Sequence, residues 1–250
     1  MIKRIILLGD SFTFGHGCSD KNYYFDIEKK VWVGSMASDF HLKPSNYCWG
    51  SLLQNNINNA LVINASKPGH SYSGMFRDLM TLHASSNINS DYLIVAAGAF
   101  MDRIEVASYL NPEDPVTWSI KFDGSFYRDN DPKDYSTAKM MYAKYLYNDS
   151  IGLQNAFTSI MGIYGVAKAC NAQFAWSMPL VGVDYSKLKY KISKLVPNYF
   201  PHIFRYDFSG RENEEFNKTC YQPDGHCNDT GHKIYFDRVI MPFMKQLGIS

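Results

Sequence analysis

Four short apolar runs, Ile5 to Leu8, Leu61 to Ile63, Tyr92 to Ala97 and Gln173 to Met178, are bounded by turn-forming residues and separated by stretches of helical periodicity. A run of that length without alternation fits a strand buried on both faces, and strand alternating with helix is the pattern of a parallel sheet. Trp49, Leu52, Leu53 and Ile57 fall three or four apart behind a candidate cap at Ser45 or Asn46. Met75, Phe76, Leu79, Met80 and Leu82 repeat the spacing more loosely. Leu153, Phe157, Ile160, Met161, Tyr164 and Ala167 trace one face of a longer helix. Phe236, Val239, Ile240, Phe243, Met244 and Leu247 trace another, in which Pro242 predicts a kink or early break and Gly248 stands where a glycine closes a helix. A fifth strand is expected near Phe204 to Phe208.

Two segments interrupt this rhythm. Gly17 to Pro44 follows the first strand, and Phe100 to Asn148, about fifty residues rich in Asp, Pro, Tyr and Ser, follows the third. In an open parallel sheet both leave from the carboxyl ends of strands, where such folds bind ligands. With 250 residues, 46% of them hydrophobic, the chain reads as one domain over residues 1–250, with insertions near 17–44 and 100–148.

Charge narrows the partners. The 25 basic residues nearly match the 24 acidic ones, so no broad field draws nucleic acid or an anionic membrane, and neither is expected as a partner. No stretch approaches the roughly 18 apolar residues of a membrane span. Met1 to Gly9 has too short an apolar run for a signal-peptide core and reads as a buried strand. Five widely spaced cysteines do not resemble a disulfide framework, which favours a reducing, cytoplasmic setting. The 18 Tyr and 16 Phe suit either a sugar-binding cleft or a core and its edges.

The candidate chemistry lies at the two ends. Ser11 directly follows the first strand in Gly9-Asp10-Ser11-Phe12, so a sharp turn there would present its hydroxyl at the sheet's carboxyl edge. A serine hydroxyl is a poor nucleophile until a base takes its proton, and the oxyanion formed on attack needs preplaced donors. Near the other end, Pro223-Asp224-Gly225-His226-Cys227-Asn228-Asp229-Thr230-Gly231-His232 precedes the last helix. There His226 is the candidate base and Asp224 the candidate carboxylate that orients it. The same residues also make ordinary turns, with Asp229 or Thr230 as the helix cap. Cys220, His226, Cys227 and His232 match none of the paired zinc spacings, so no metal is expected.

The first block resembles the Gly-Asp-Ser block of the SGNH/GDSL hydrolase family, and the last resembles its Asp-x-x-His block. Asn64-Ala65-Ser66-Lys67-Pro68-Gly69-His70 resembles the middle block, with Gly69 at the position whose backbone N–H joins that of Ser11 in the oxyanion hole. The resemblance implies a three-layer α/β/α sandwich on a mostly parallel, flavodoxin-like five-stranded sheet. It also implies ester hydrolysis through an acyl-enzyme without metal or organic cofactor.

Two positions depart from the family pattern. Where Gly-x-Asn-Asp would supply an asparagine donor, the chain has Gly98-Ala99-Phe100-Met101. Losing one oxyanion donor costs on the order of 100-fold to 1000-fold in rate. Arg103 is a candidate substitute that would contact the substrate or oxyanion; an ion pair with Asp102 or Glu105 is the competing role. Asp224 lies two residues before His226 rather than three, while Asp229-Thr230-Gly231-His232 has the family spacing at a place suited to packing or capping.

A serine esterase or acylhydrolase acting on a small-molecule or glycan ester is therefore expected, with a carbohydrate O-acetyl ester the first substrate. The alternative is a non-catalytic binding or structural module on the same fold.

Overall fold

The computed structural model of the chain describes residues 1–21, 24–26, 31–33, 43–100, 103–106, 116–119, 141, 148–179, 182–204, 206–209, 214–222 and 225–249. Strands β1 (Arg4–Gly9), β4 (Leu61–Asn64), β5 (Tyr92–Ala97) and β8 (Gln173–Ser177) form a parallel sheet in the order β4-β1-β5-β8. Two antiparallel ribbons lie outside it, β2 (Tyr24–Asp26) with β3 (Val31–Val33) and β6 (Arg103–Val106) with β7 (Val116–Ser119). The two insertions thus carry strand pairs of their own, which their polar composition did not reveal.

Successive residues of β1 feed opposite faces of the sheet, as a period of two requires. Ile5 and Leu7 pack with Trp49, Leu53, Tyr235 and Ile240, whereas Ile6 and Leu8 pack with Met75, Leu79, Ile160 and Ile163. All four β1 side chains are at most 1% exposed. Each contributes about 1.5–3 kcal/mol through burial, which fixes the strand that leads to Ser11.

One face is covered by α2 (Trp49–Asn56) and the C-terminal helices, the other by α3 (Tyr72–Ser85), α4 (Asp149–Ala169) and α5 (Gly182–Ser193). The result is the expected three-layer α/β/α arrangement. Two caps differ from expectation. Cys48, rather than Ser45 or Asn46, precedes α2, and Asn228, rather than Asp229 or Thr230, caps α7 (Asp229–Tyr235) by accepting from the Gly231 N–H. Two shorter helices complete the set, α1 (Ser11–Phe14) and α6 (Glu214–Thr219).

The last stripe breaks as its proline predicts. A π-helical turn over Phe236–Ile240 separates α7 from α8 (Met241–Gln246), and Met241 N–H reaches back five residues to Phe236 O. Pro242 has no N–H to give and its ring crowds the carbonyl four residues back, so a widened turn takes up the mismatch. Gly248, at φ +76°, closes the helix: its N–H bonds to Lys245 O and that of Ile249 to Met244 O, a Schellman pair.

The fifth strand is corrected. Among the described residues of Phe204 to Phe208 there is no ladder, because their amides go elsewhere: Phe204 N–H to His202 Nδ1, Tyr206 N–H to Ile203 O and Phe208 N–H to Asn217 Oδ1. The sheet is extended instead by a single parallel bridge between Trp176 and Tyr199. Pro197 and Pro201 flank that segment and Asn198 sits at φ +61°, so it cannot lengthen into a strand. With the bridge in fifth position the order is that of a flavodoxin-like sheet, whose switch point lies between β1 and β5.

Candidate active site

Ser11 opens α1 directly beyond the carboxyl end of β1, at that switch point. The turn is short because both its ends are specified. Asp10 caps the start, its Oδ1 accepting from Phe12 N–H at 3.0 Å, and Gly15 closes the end in the left-handed region at φ +82°. Gly9 permits the bend, since a Cβ there would lie 2.4 Å from Thr13 Oγ1. Ser11 is 4% exposed.

His226 arrives from the far end of the chain. Its Nε2 lies 2.8 Å from Ser11 Oγ, within hydrogen-bonding reach. The loop that carries it is tied at several points. Gln222 N–H donates to His226 O at 2.7 Å, Gly225 N–H donates to Gln222 O at 2.8 Å, and Gly225 adopts φ +85°. Gln222 Nε2 also donates to Gly17 O at 3.2 Å. Gly17 lets the two loops touch, because a Cβ there would meet Cys227 O at 2.5 Å and His226 Cβ at 3.0 Å. On the helix side, Asp229 accepts from the Ser19 N–H at 2.9 Å and from its hydroxyl at 2.5 Å. The imidazole plane is set by Phe12, stacked on it at 4.7 Å with an interplanar angle of 23°.

The loop after β4 bears Gly69, in the left-handed region at φ +72°. Lys67 N–H donates to Gly9 O at 3.1 Å, and His70 Nδ1 donates to the same carbonyl at 3.1 Å, so this loop is fastened to the residue that leads into the Asp10–Ser11 turn. Burial pushes the His70 pKa down to about 4, against the pull of Asp78, whose Oδ2 lies 3.5 Å from Nε2. Among the described residues, the backbone N–H groups of Ser11 and Gly69 make no hydrogen bond.

After β5 the chain runs through Gly98, Ala99 and Phe100. His202, 6% exposed, donates from Nε2 to Gly98 O at 3.1 Å while its Nδ1 accepts from Phe204 N–H at 3.0 Å. One ring nitrogen donates and the other accepts, so the ring is neutral, and burial lowers its pKa to about 4. The Phe100 ring packs edge-on against Phe204 at 4.8 Å and lies 5.9 Å from Phe12. The position that would carry a polar donor therefore carries part of an aromatic cluster.

Arg103 lies at the start of β6, its side chain mostly buried. Its Nη1 donates to Asp10 Oδ2 at 2.6 Å and to His70 O at 3.3 Å, and the guanidinium sits 5.2 Å from the Phe100 ring centroid. Of the two acids weighed as its partners, Asp102 and the side chain of Glu105 fall outside the described residues.

Ser11, Gly69 and His226, from three separated sequence blocks, thus converge at one sheet edge. Asp224 lies outside the described residues. His232 is a packing residue: 1% exposed, it accepts the Trp49 N–H on Nδ1 at 3.3 Å, and burial drives its pKa down to about 3. Cys220 and Cys227 are buried thiols flanking the His226 loop. Among the described residues no group of three or more His, Cys, Asp or Glu side chains can hold a metal, and no helix is long and apolar enough to cross a membrane.

Sequence reasoning assigned no role to Asp10, Phe12, Gly17 or His202. Asp10 and Phe12 flank the serine and carried a local signal, the N-cap position and an apolar neighbour. Gly17 and His202 carried none, since their contacts are with residues far along the chain.

The fold is shared with solved structures. The chain is similar to the psychrotrophic esterase EstA from a Pseudoalteromonas species, at 16% identity and TM-score 0.54 over 98% of each chain. It is similar to a family two carbohydrate esterase from Clostridium thermocellum, solved with cellohexaose, at 14% identity and TM-score 0.51 over 98% of this chain and 65% of that one. It is similar to the acetyl xylan esterase AlAXEase at 11% identity and TM-score 0.52, over 94% of this chain and 96% of that one. No protein-family model matches the sequence, and neither does any curated protein.

Proposed function

We propose that the protein is a serine esterase of the SGNH type, cleaving an ester through an acyl-enzyme, with O-acetyl groups on a carbohydrate as its substrate class. The observation that carries this reading is the 2.8 Å approach of His226 Nε2 to Ser11 Oγ across 215 residues of sequence. In the reaction His226 takes the Ser11 proton as Oγ attacks the acyl carbon. The backbone N–H groups of Ser11 and Gly69 receive the developing oxyanion. His226 then protonates the departing alcohol, and the acyl-enzyme is released when a water, deprotonated by His226, attacks the same carbon. Asp224 is the proposed partner of the imidazole, as the acid nearest to it in sequence. No metal or organic cofactor takes part. The carbohydrate ester is supported by the fold shared with a carbohydrate esterase and an acetyl xylan esterase.

The experiment is turnover of p-nitrophenyl acetate and of acetylated glycans, short lipid esters and thioesters by wild type, Ser11→Ala and His226→Ala. Loss on the order of 10⁴-fold to 10⁶-fold in kcat in either variant is expected, since nucleophile and base act as a unit. Faster deacetylation of glycans than of lipid esters supports the substrate class. One observation favours a second reading, a non-catalytic module on this fold: Phe100 brings no side-chain donor to the oxyanion site and packs into an aromatic cluster. Folded wild type that turns over none of the panel establishes that reading instead.

A further inference from the structure

The Arg103 guanidinium touches both loops from which the proposed oxyanion donors come. Its Nη1 carries two protons. One goes to Asp10 Oδ2 at 2.6 Å, on the carboxylate whose other oxygen caps the turn that bears Ser11. The other goes at 3.3 Å to His70 O, the carbonyl of the residue after Gly69. Asp10 is completely buried and the Arg103 side chain is only 13% exposed, so the pair sits where water does not screen it. The bridging nitrogen therefore ties the turn that bears Ser11 to the loop that bears Gly69.

From this geometry we infer that Arg103 is a positioning residue that sets the spacing of the two backbone donors, in a chain where Phe100 stands in place of the asparagine. It acts through Asp10 and His70 rather than by touching substrate. A charge-assisted bridge to two loops suits this role because it is short and strong at Asp10 and reaches the His70 carbonyl from the same nitrogen. The inference rests on the serine esterase reading.

The test compares wild type with Arg103→Gln, Arg103→Lys and the double variant Asp10→Asn/Arg103→Gln, in which the buried pair is neutral and the cap acceptor is kept. For each, kcat and KM on p-nitrophenyl acetate, the pH profile of kcat and the rate of fluorophosphonate labelling at Ser11 are measured. Arg103→Gln is expected to lower kcat and the labelling rate together by about 10-fold to 100-fold, the effect of a displacement on the order of 1 Å. KM should stay within about twofold and the pH profile keep its shape, because base and substrate contacts are untouched. Arg103→Lys should recover part of the loss, since an ammonium keeps the charge and has protons for both acceptors but ends on a shorter, more flexible stem. The folded double variant should remain slow. Wild-type kcat in it would show that Arg103 only neutralises Asp10 and would overturn the inference, as would a rise in KM at constant kcat. Folded wild type that fluorophosphonate does not label overturns the esterase reading, and this inference with it. Labelled wild type with unaltered Arg103 variants overturns the inference alone.

Discussion

Phe12 lies face to face with His226, ring centroids 4.7 Å apart and planes within 23°. Phe12, the residue after Ser11, thus sets the plane of the His226 ring, while its own N–H is held by Asp10. Ser11, the ring that stacks on His226 and the Asp10 cap all belong to one four-residue helix and its N-terminus. Phe12→Leu keeps the apolar volume and removes the flat face. It is expected to lower kcat by about 10-fold to 100-fold with little change in KM, because the imidazole gains freedom to rotate away from Oγ. Steady-state kinetics beside a thermal melt check this, the melt falling only a few degrees for a buried shape change.

Gly17 has no Cβ where one would meet Cys227 O at 2.5 Å and His226 Cβ at 3.0 Å. Gly17→Ala must push the His226 loop away from Ser11, since the nearest atom is backbone. Activity should fall by about 100-fold, out of proportion to any loss of thermal stability, measured on the same preparation.

Phe100→Asn offers the missing side-chain donor. It is expected to raise kcat, by up to about 100-fold if the amide reaches the oxyanion. Losing the packing of Phe100 against Phe12 and Phe204 should at the same time cost on the order of 3 kcal/mol of stability. Kinetics and a urea melt on one variant separate the two effects.

His202 and His232 are buried and neutral, with pKa values lowered from 6.5 to about 4 and about 3. The unfolded chain binds protons at these residues near pH 6.5, and the native chain does not until pH 4 or 3. Their contribution to stability is thus complete above pH 6.5 and is lost as pH falls towards those lower values. The melting temperature should drop through that window, and less steeply in His202→Gln, whose amide keeps a donor and an acceptor. Melts from pH 7.5 to 4 check it.

These assignments differ in how far they could be read from sequence. Strands β1, β5 and β8 were legible because each is buried on both faces and so runs apolar without alternation, whereas β4 at the sheet edge, with Leu61 54% exposed, was legible as a short apolar run between turn-forming residues. The fifth was misplaced because Phe204, Tyr206 and Phe208 look like strand residues, yet they gather around Phe12, Phe100, Tyr221 and Tyr235 in rings of edge contacts. Ser11, Gly69 and His226 were singled out because each sits in a short block that resembles a family motif, and the structure brings the Ser11 hydroxyl and the His226 ring to 2.8 Å. The tie between Asp10 and Arg103 spans 93 residues, and no periodicity or spacing expresses a contact of that kind.

The serine esterase reading stands on Ser11 attacking with His226 as its base. Its most direct measurement is the intact mass and peptide map of the protein after brief exposure to a fluorophosphonate. One adduct per chain at Ser11 is predicted for wild type, none for Ser11→Ala, and labelling slowed by about 1000-fold or more for His226→Ala. Folded wild type that stays unmodified, or carries its adduct on another residue, contradicts the claim.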